Sequence, residues 1–373
     1  MDTSTFTYKL LSLIALSGEC SPDVLPRLGV SDSYGEKLIT RLKEDGYIKT
    51  HYKDRLRGYR LTNKGKRLLL AQSSDRFSFY LTGSTDTNRP RSDYPRRLRL
   101  QQASLTYTLL SNASVTCFRD QKPLIFKDNA PDREPATLPL PVFYHSRELK
   151  ELGDEAVKIN NSRVMGILLS QKCIYAVFYT GNALMKWEYR TELKVKALLS
   201  YHASRGILSK GAVNPWYLPD TPIKALIIGQ DMDVGLKLLT STGGYNKSYF
   251  YLDTSFDYFH YVPDTPAGET MVKLLCSPRL YAALRKLLLS DLQPPCTDFG
   301  LEHDAVSDGL PVLLAFDFDM QRISRFHTAL SLHGIYGHLL CFDFQKPVLT
   351  QYFGDSTTIE TIDLSKFERR FFP

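Results

Sequence analysis

The chain has 373 residues, 43% of them apolar and 12% aromatic, which excludes a disordered protein and leaves room for two or three domains with sizeable cores. Its net charge is +7, yet residues 1–100 hold nineteen Lys and Arg against eleven Asp and Glu, a net of +8, so the remainder stands at −1. No run approaches the roughly 18 apolar residues of a membrane span and the acidic, Thr-rich start lacks the basic region of a secretory signal, so no membrane partner and cytoplasmic residence are expected.

Over residues 6–16 the spacing of Phe6, Leu10, Leu13 and Ile14 predicts a first helix, expected to pack behind a later, basic one. Residues 21–28 open with Ser and Pro and end before Gly29, the pattern of a second helix. Within residues 31–44, Leu38, Ile39 and Leu42 share one helical face, while Lys37, Arg41 and Lys43 occupy other positions. Ser31 or Ser33 can cap that helix and Asp45-Gly46 can stop it. The period then changes. Residues 47–52 are aromatic and β-branched and can pair with Tyr59-Arg60-Leu61 across a charged loop at 53–58. A further helix starts near Thr62 and carries Lys64, Lys66 and Arg67 ahead of Leu68-Leu69-Leu70.

Three helices, two strands and a helix are the order of a winged helix-turn-helix. A helix in a groove with a basic loop beside it offers two contact modes, side chains on base edges and charges on phosphates. Lys37, Arg41 and Lys43 are the candidates on the recognition helix, Lys53, Arg55 and Arg57 those in the wing, and Lys64 that on the helix after it. Double-stranded DNA is the expected partner; a winged helix used for protein contacts is the alternative. Residues 73–95 turn to Ser, Thr, Asp, Asn and Pro and read as a linker, with Arg89, Arg91, Arg96, Arg97 and Arg99 crowding its end. Arg96 and Arg97 are candidates to follow the phosphate backbone, against the plainer reading of a solvated helix start. Helical spacing returns over 97–113 and is expected to open a second domain.

Beyond a Pro-rich loop at 131–141, the residues suggest an extended 142–144 and a polar helix over 146–158. Strands at 163–169, 173–179 and 183–187 precede a helix over 191–202. The winged-helix order, Arg96-Arg97-Leu98-Arg99-Leu100 after the connection, and the strand pair before the Lys194-bearing helix together resemble the replication-relaxation proteins of plasmids and integrative conjugative elements. The resemblance spans roughly residues 5–205. It implies a winged helix joined to a core similar to restriction endonucleases, with an Arg-Pro-Asp ahead of one strand and a Glu-x-Asp near the end of the next. This chain departs from that pattern. Arg163-Val164-Met165 and Phe178-Tyr179-Thr180 stand at the matching positions without a carboxylate, and Mg²⁺ needs hard oxygen ligands. Glu192-x-Lys194 has a nuclease-like spacing but falls at a helix start, where alternating charge is ordinary.

The eight histidines include no His-x-His pair, which argues against the metal-dependent relaxase class, and Gly243-Gly244-Tyr245-Asn246-Lys247-Ser248 lacks the spacing of a phosphate loop. Six scattered cysteines without a Cys-x-x-Cys pair read as reduced core residues rather than a zinc site or disulfide frame. In the last third, two segments repeat a pattern of strand, Asp-x-Asp and helix, at Asp231/Asp233 and Asp317/Asp319. This suggests paired β-α units in one sheet, whose carboxylates either bind Mg²⁺ or cap the following helices. Residues 335–344 and 347–353 read as further strands. The closing Phe371-Phe372 either docks on the body or faces a partner.

The expected fold class is α/β (α+β): a winged helix-turn-helix at 1–72, a linker at 73–95, a nuclease-like α/β domain at 96–210 and a C-terminal α/β domain at 211–373. The expected function is that of a DNA-binding accessory protein of a mobile genetic element, acting in replication or conjugative transfer with a catalytically silent nuclease-like body. Replication or transfer proteins and a second copy of the chain are its further expected partners, and no cofactor is expected. The alternatives are a repressor of the element and a Mg²⁺-dependent endonuclease using Glu192 and Lys194 with Asp231 or Asp317.

Overall fold

Leu10 to Ser17 of the first helix, α1 (Phe6–Ser17), are buried all round, as an unbroken apolar helix must be. The computed structural model describes residues 5–126, 140–153, 162–204, 220–296 and 299–372, and they form an α/β protein. The chain divides into two compact units, one holding residues up to Asn112 with Thr116–Pro123, the other Ala113–Val115 with Leu124 onward.

In the first unit a 3-10 helix (Pro22–Leu28) follows α1, then α2 (Asp32–Glu44), the antiparallel strands β1 (Ile48–Lys53) and β2 (Leu56–Leu61), α3 (Asn63–Gln72), α4 (Ser74–Leu81) and α5 (Tyr94–Asn112). The expected second helix is thus a 3-10 segment, because Pro26 inside it has no N–H for an α-helical bond. Ser31, not Ser33, caps α2 by accepting from Tyr34 N. Helix α1 packs mainly on α5, α4 and β2, while the 3-10 segment and β1 hold α2.

Two boundaries differ from the sequence expectation. Residues 73–95 are not a solvated linker: α4 buries Phe77, Tyr80 and Leu81, and the Thr87 hydroxyl donates to the Tyr80 carbonyl at 2.6 Å. Helix α5 closes the first unit instead of opening the second, since Leu100, Ala103, Tyr107 and Leu110 are buried and the helix lies on α1.

The second unit contains β3 (Val142–His145), α6 (Ser146–Leu149), β4 (Gly166–Leu169), β5 (Ile174–Gly181), α7 (Tyr189–Ser204), β6 (Ile223–Gly229), α8 (Met232–Leu239) and β7 (Phe259–Pro263). These strands form one sheet in the order β3-β4-β5-β6-β7, antiparallel up to β5 and parallel from there. A boundary at 210 is therefore overturned: β6 is an apolar strand buried against β5 in the same sheet. Ala183–Trp187 is no strand, making only the isolated bridge Lys186–Tyr249. The Pro-rich loop and the end of the expected 146–158 helix lie largely outside the described residues.

Then come α9 (Pro266–Cys276), α10 (Pro278–Leu288), β8 (Ala305–Ser307), β9 (Leu310–Leu314), α11 (Met320–His333), β10 (Gly337–Phe342), α12 (Lys346–Phe353), β11 (Thr357–Ile362) and α13 (Leu364–Phe371). The second sheet runs β11-β10-β9-β8, and Tyr261 N donating to the Phe318 carbonyl at 3.2 Å ties it to β7. The two Asp-x-Asp units consequently belong to two sheets. Residues 347–353 are helical, with Pro347 in the first turn where a missing N–H costs no bond. The closing aromatics dock on the body: Phe367 is buried against Phe342, and Phe371 and Phe372 pack on the same cluster. All six cysteines are free, and Cys20, Cys117, Cys276 and Cys341 are buried.

Candidate nucleic-acid interface

Helix α2 buries Gly35, Leu38, Ile39 and Leu42, which turns its charged residues outward. Lys37 and Arg41, one turn apart, line a shallow depression with Ser33, Glu36, Thr40 and Glu44. Lys43 lies about 120° round the helix from Lys37, so it borders that face without joining it. Acidic and basic side chains nearly balance here. Such a near-neutral face offers little net attraction for a polyanion.

The hairpin supplies the positive charge. Asp54 and Arg55 both have positive φ, which makes a two-residue turn of the kind that matches strand twist, so the expected six-residue loop is shorter and its flanks are strand. Lys53, Arg55 and Arg57 are exposed, and Lys49 adds an exposed cation that sequence reasoning passed over. Lys64 is exposed but committed: its Nζ donates to the Asp45 carbonyl at 2.7 Å and stands 4.9 Å over the Tyr47 ring, joining the end of α2 to α3. Arg96 is exposed and pairs loosely with Asp93 at 3.6 Å.

Arg97 overturns its assignment. It is fully buried and cannot touch a phosphate. Its Nη2 donates to Glu19 Oε1 at 2.7 Å and to the carbonyls of His51 and Leu56 at 3.0 and 2.9 Å, while Nη1 donates to the Lys53 carbonyl at 2.9 Å. Gln101 Nε2 donates to Glu19 and to the Arg57 carbonyl, each at 2.8 Å. Arg60 completes the group, with Nε 2.7 Å from Glu19 Oε2 and its Nη atoms donating to the carbonyls of Pro90 and Arg91. Burial alone would raise the Glu19 pKa. Hydrogen bonds from Arg97, Gln101 and Arg60 outweigh it and hold the carboxyl below its ordinary value. Burial, with Arg60 and Arg97 nearby, lowers the His51 pKa and favours its neutral form. The buried group therefore grips the hairpin backbone at four carbonyls, those of residues 51, 53, 56 and 57. Gly58 is required for this: a Cβ there would stand 2.3 Å from Glu19 Oε1 and 2.5 Å from Gln101 Nε2.

In the second unit, the positions where the resemblance implies carboxylates hold none: Met165 and Phe178 are buried apolar core, and Thr180 is a buried hydroxyl that donates to the Ala183 carbonyl. Glu192 is buried in the first turn of α7 and accepts from Ser162 Oγ at 2.7 Å. Burial raises its pKa to about 7, against the lowering effect of hydrogen bonds from Ser162 and the Arg163 backbone. Lys194 is exposed, so the two do not form a pair. Asp231 caps α8 by accepting from Val234 N, and Asp319 caps α11 by accepting from Gln321 N. Asp317 accepts from the Tyr281 hydroxyl at 2.8 Å. Burial, then Asp317, raises the Asp319 pKa to about 7. Among the described residues no three His, Cys, Asp or Glu side chains converge as a metal site would need.

Comparison with protein-family models, characterised proteins and solved structures finds no match to this chain.

Proposed function

We propose that the chain is a DNA-binding accessory protein of a mobile genetic element, acting in the cytoplasm in replication or conjugative transfer. Its first unit works as a winged helix on double-stranded DNA. The observation that carries this reading is the hairpin, which holds Lys49, Lys53, Arg55 and Arg57 in solvent while Arg97 and Gln101 fix its carbonyls from behind. A pre-set basic ribbon loses little conformational entropy when it meets a phosphate backbone. Lys37 and Arg41 on the near-neutral face of α2 are the residues proposed to read base edges.

The mobile-element context rests on the resemblance to replication-relaxation proteins. A silent body accords with the buried Val164, Met165 and Phe178, and with a Glu192 bonded to Ser162 away from the exposed Lys194. The test is a mobility-shift titration of the whole protein on fragments of its native neighbourhood at several salt concentrations. Mg²⁺ is present, and products are resolved on a denaturing gel. Retardation without strand breaks is the expected result. Nicking lost in Glu192→Ala would establish the endonuclease instead, and no retardation at moderate salt would reassign the winged helix to protein contacts.

A further inference from the structure

Resting on that nucleic-acid reading, we infer that Tyr52 makes the wing a probe for opened duplex, stacking on the last base pair where two strands part. Four tyrosines lie on or beside α2 and the hairpin. Tyr34 meets the Phe6 ring edge-on at 6.1 Å, Tyr47 lies under Lys64, and Tyr59 is buried under Arg57 at 5.6 Å. Tyr52 has no such partner. It is 68% exposed, and among the described residues it makes no hydrogen bond, ring contact or cation–π contact.

Strand alternation explains the exposure. Ile48, Thr50 and Tyr52 share a face with their partners Leu61, Tyr59 and Arg57; Ile48, Leu61 and Tyr59 near the base are buried, whereas Tyr52 and Arg57 extend past the core. The ring therefore stands one residue from the two-residue turn, with Arg57 opposite it on the same face and Lys53 and Arg55 next along the chain. Behind the turn, Arg97 holds the carbonyls of His51, Lys53 and Leu56, which flank Tyr52 and the turn in the chain and across the ribbon. Those bonds hold the backbone on either side of Tyr52 and so fix the face of the ribbon on which the ring stands.

Groove edges of an intact duplex offer hydrogen-bonding atoms, and its outer surface offers phosphates. Neither rewards an aromatic face. A base π-face becomes available only where stacking ends, at a fork, a nick or a melted site, and there stacking combines with cations that follow the separating backbones.

The experiment measures binding of the full-length protein to a closed duplex whose two ends are capped by hairpin loops and to a forked duplex of the same paired sequence, for wild type, Tyr52→Ala and Tyr52→Phe. Wild type is expected to favour the fork by about tenfold, which is the order of one stacked base. Tyr52→Ala should bind the fork no better than the closed duplex while keeping wild-type affinity for the latter, and Tyr52→Phe should retain the preference. Equal wild-type affinity for both DNAs overturns the inference and leaves duplex binding standing. So does an equal loss on both in Tyr52→Ala, or a loss in Tyr52→Phe as large as in Tyr52→Ala, which would make the hydroxyl the contact. Absence of binding to either DNA overturns the nucleic-acid reading itself.

Discussion

Arg97 and Glu19 meet at 2.7 Å with both side chains fully buried, and the same guanidinium donates to three backbone carbonyls of the hairpin. A buried ion pair is costly unless its remaining hydrogen-bonding groups find partners. Here Arg60 and Gln101 occupy the carboxylate, and the hairpin backbone occupies the guanidinium. The pair thus links the fold of the first unit to the shape of its basic hairpin.

Removing Arg97 leaves Glu19 short of its main partner inside the protein. Arg97→Ala is expected to destabilise the first unit by about 3–5 kcal/mol. Glu19→Gln in the same chain should recover part of that, because it removes the uncompensated charge. Hydrogen exchange of the hairpin amides checks both variants. Arg97→Ala should also weaken DNA binding although the residue is inaccessible.

Gly58 and Gly65 are expected to be intolerant of a single methyl group. A Cβ at Gly58 would press on Glu19 and Gln101, and one at Gly65 would stand 2.3 Å from the Tyr47 carbonyl, which is backbone and cannot rotate away. Each alanine variant should cost about 1–3 kcal/mol in denaturant unfolding.

Glu19 gives the first unit an acid limit. Its folded pKa lies below the unfolded value, so the stabilisation is complete above the unfolded pKa of about 4.3 and is lost as pH falls through the folded one. Thermal unfolding should show a decline below that pH which Glu19→Gln makes shallower.

Glu192 works in the opposite sense. With its folded pKa raised to about 7, the folded state keeps a proton that the unfolded state releases, so stability falls as pH rises from about 4.3 to 7 and is level above. Glu192→Gln should therefore stabilise the protein at pH 8, by at most about 4 kcal/mol, and change little at pH 4. Unfolding curves at the two pH values check this.

Neutralising Lys53, Arg55 and Arg57 together should weaken binding to every duplex alike and reduce the slope of log affinity against log salt by about 2 to 3. Lys37→Ala with Arg41→Ala should instead alter the ranking of sequences while changing the slope less. Filter binding across a salt series on several duplexes separates the two effects.

The first helix, the apolar face of α2, the hairpin and the helix beginning at Asn63 were legible in the sequence because each rests on local rules. Apolar residues recur at a helical or strand period, Ser31 and Thr62 cap, and Gly29 and Gly46 have the positive φ that ends a helix. The apolar strands at 166–169, 174–181 and 223–229 were legible for the same reason.

Tertiary structure alone decided which charges remain available. Arg96 and Arg97 are adjacent and chemically alike, yet one is in solvent and the other is buried on a glutamate 78 positions earlier. No period or motif encodes that partner, because the pairing depends on α5 folding back along α1. The same holds for β6 joining the sheet of β5, for Glu192 turning inward to Ser162, and for Tyr52 standing clear of the core, since burial is a property of the assembled layers and not of the segment.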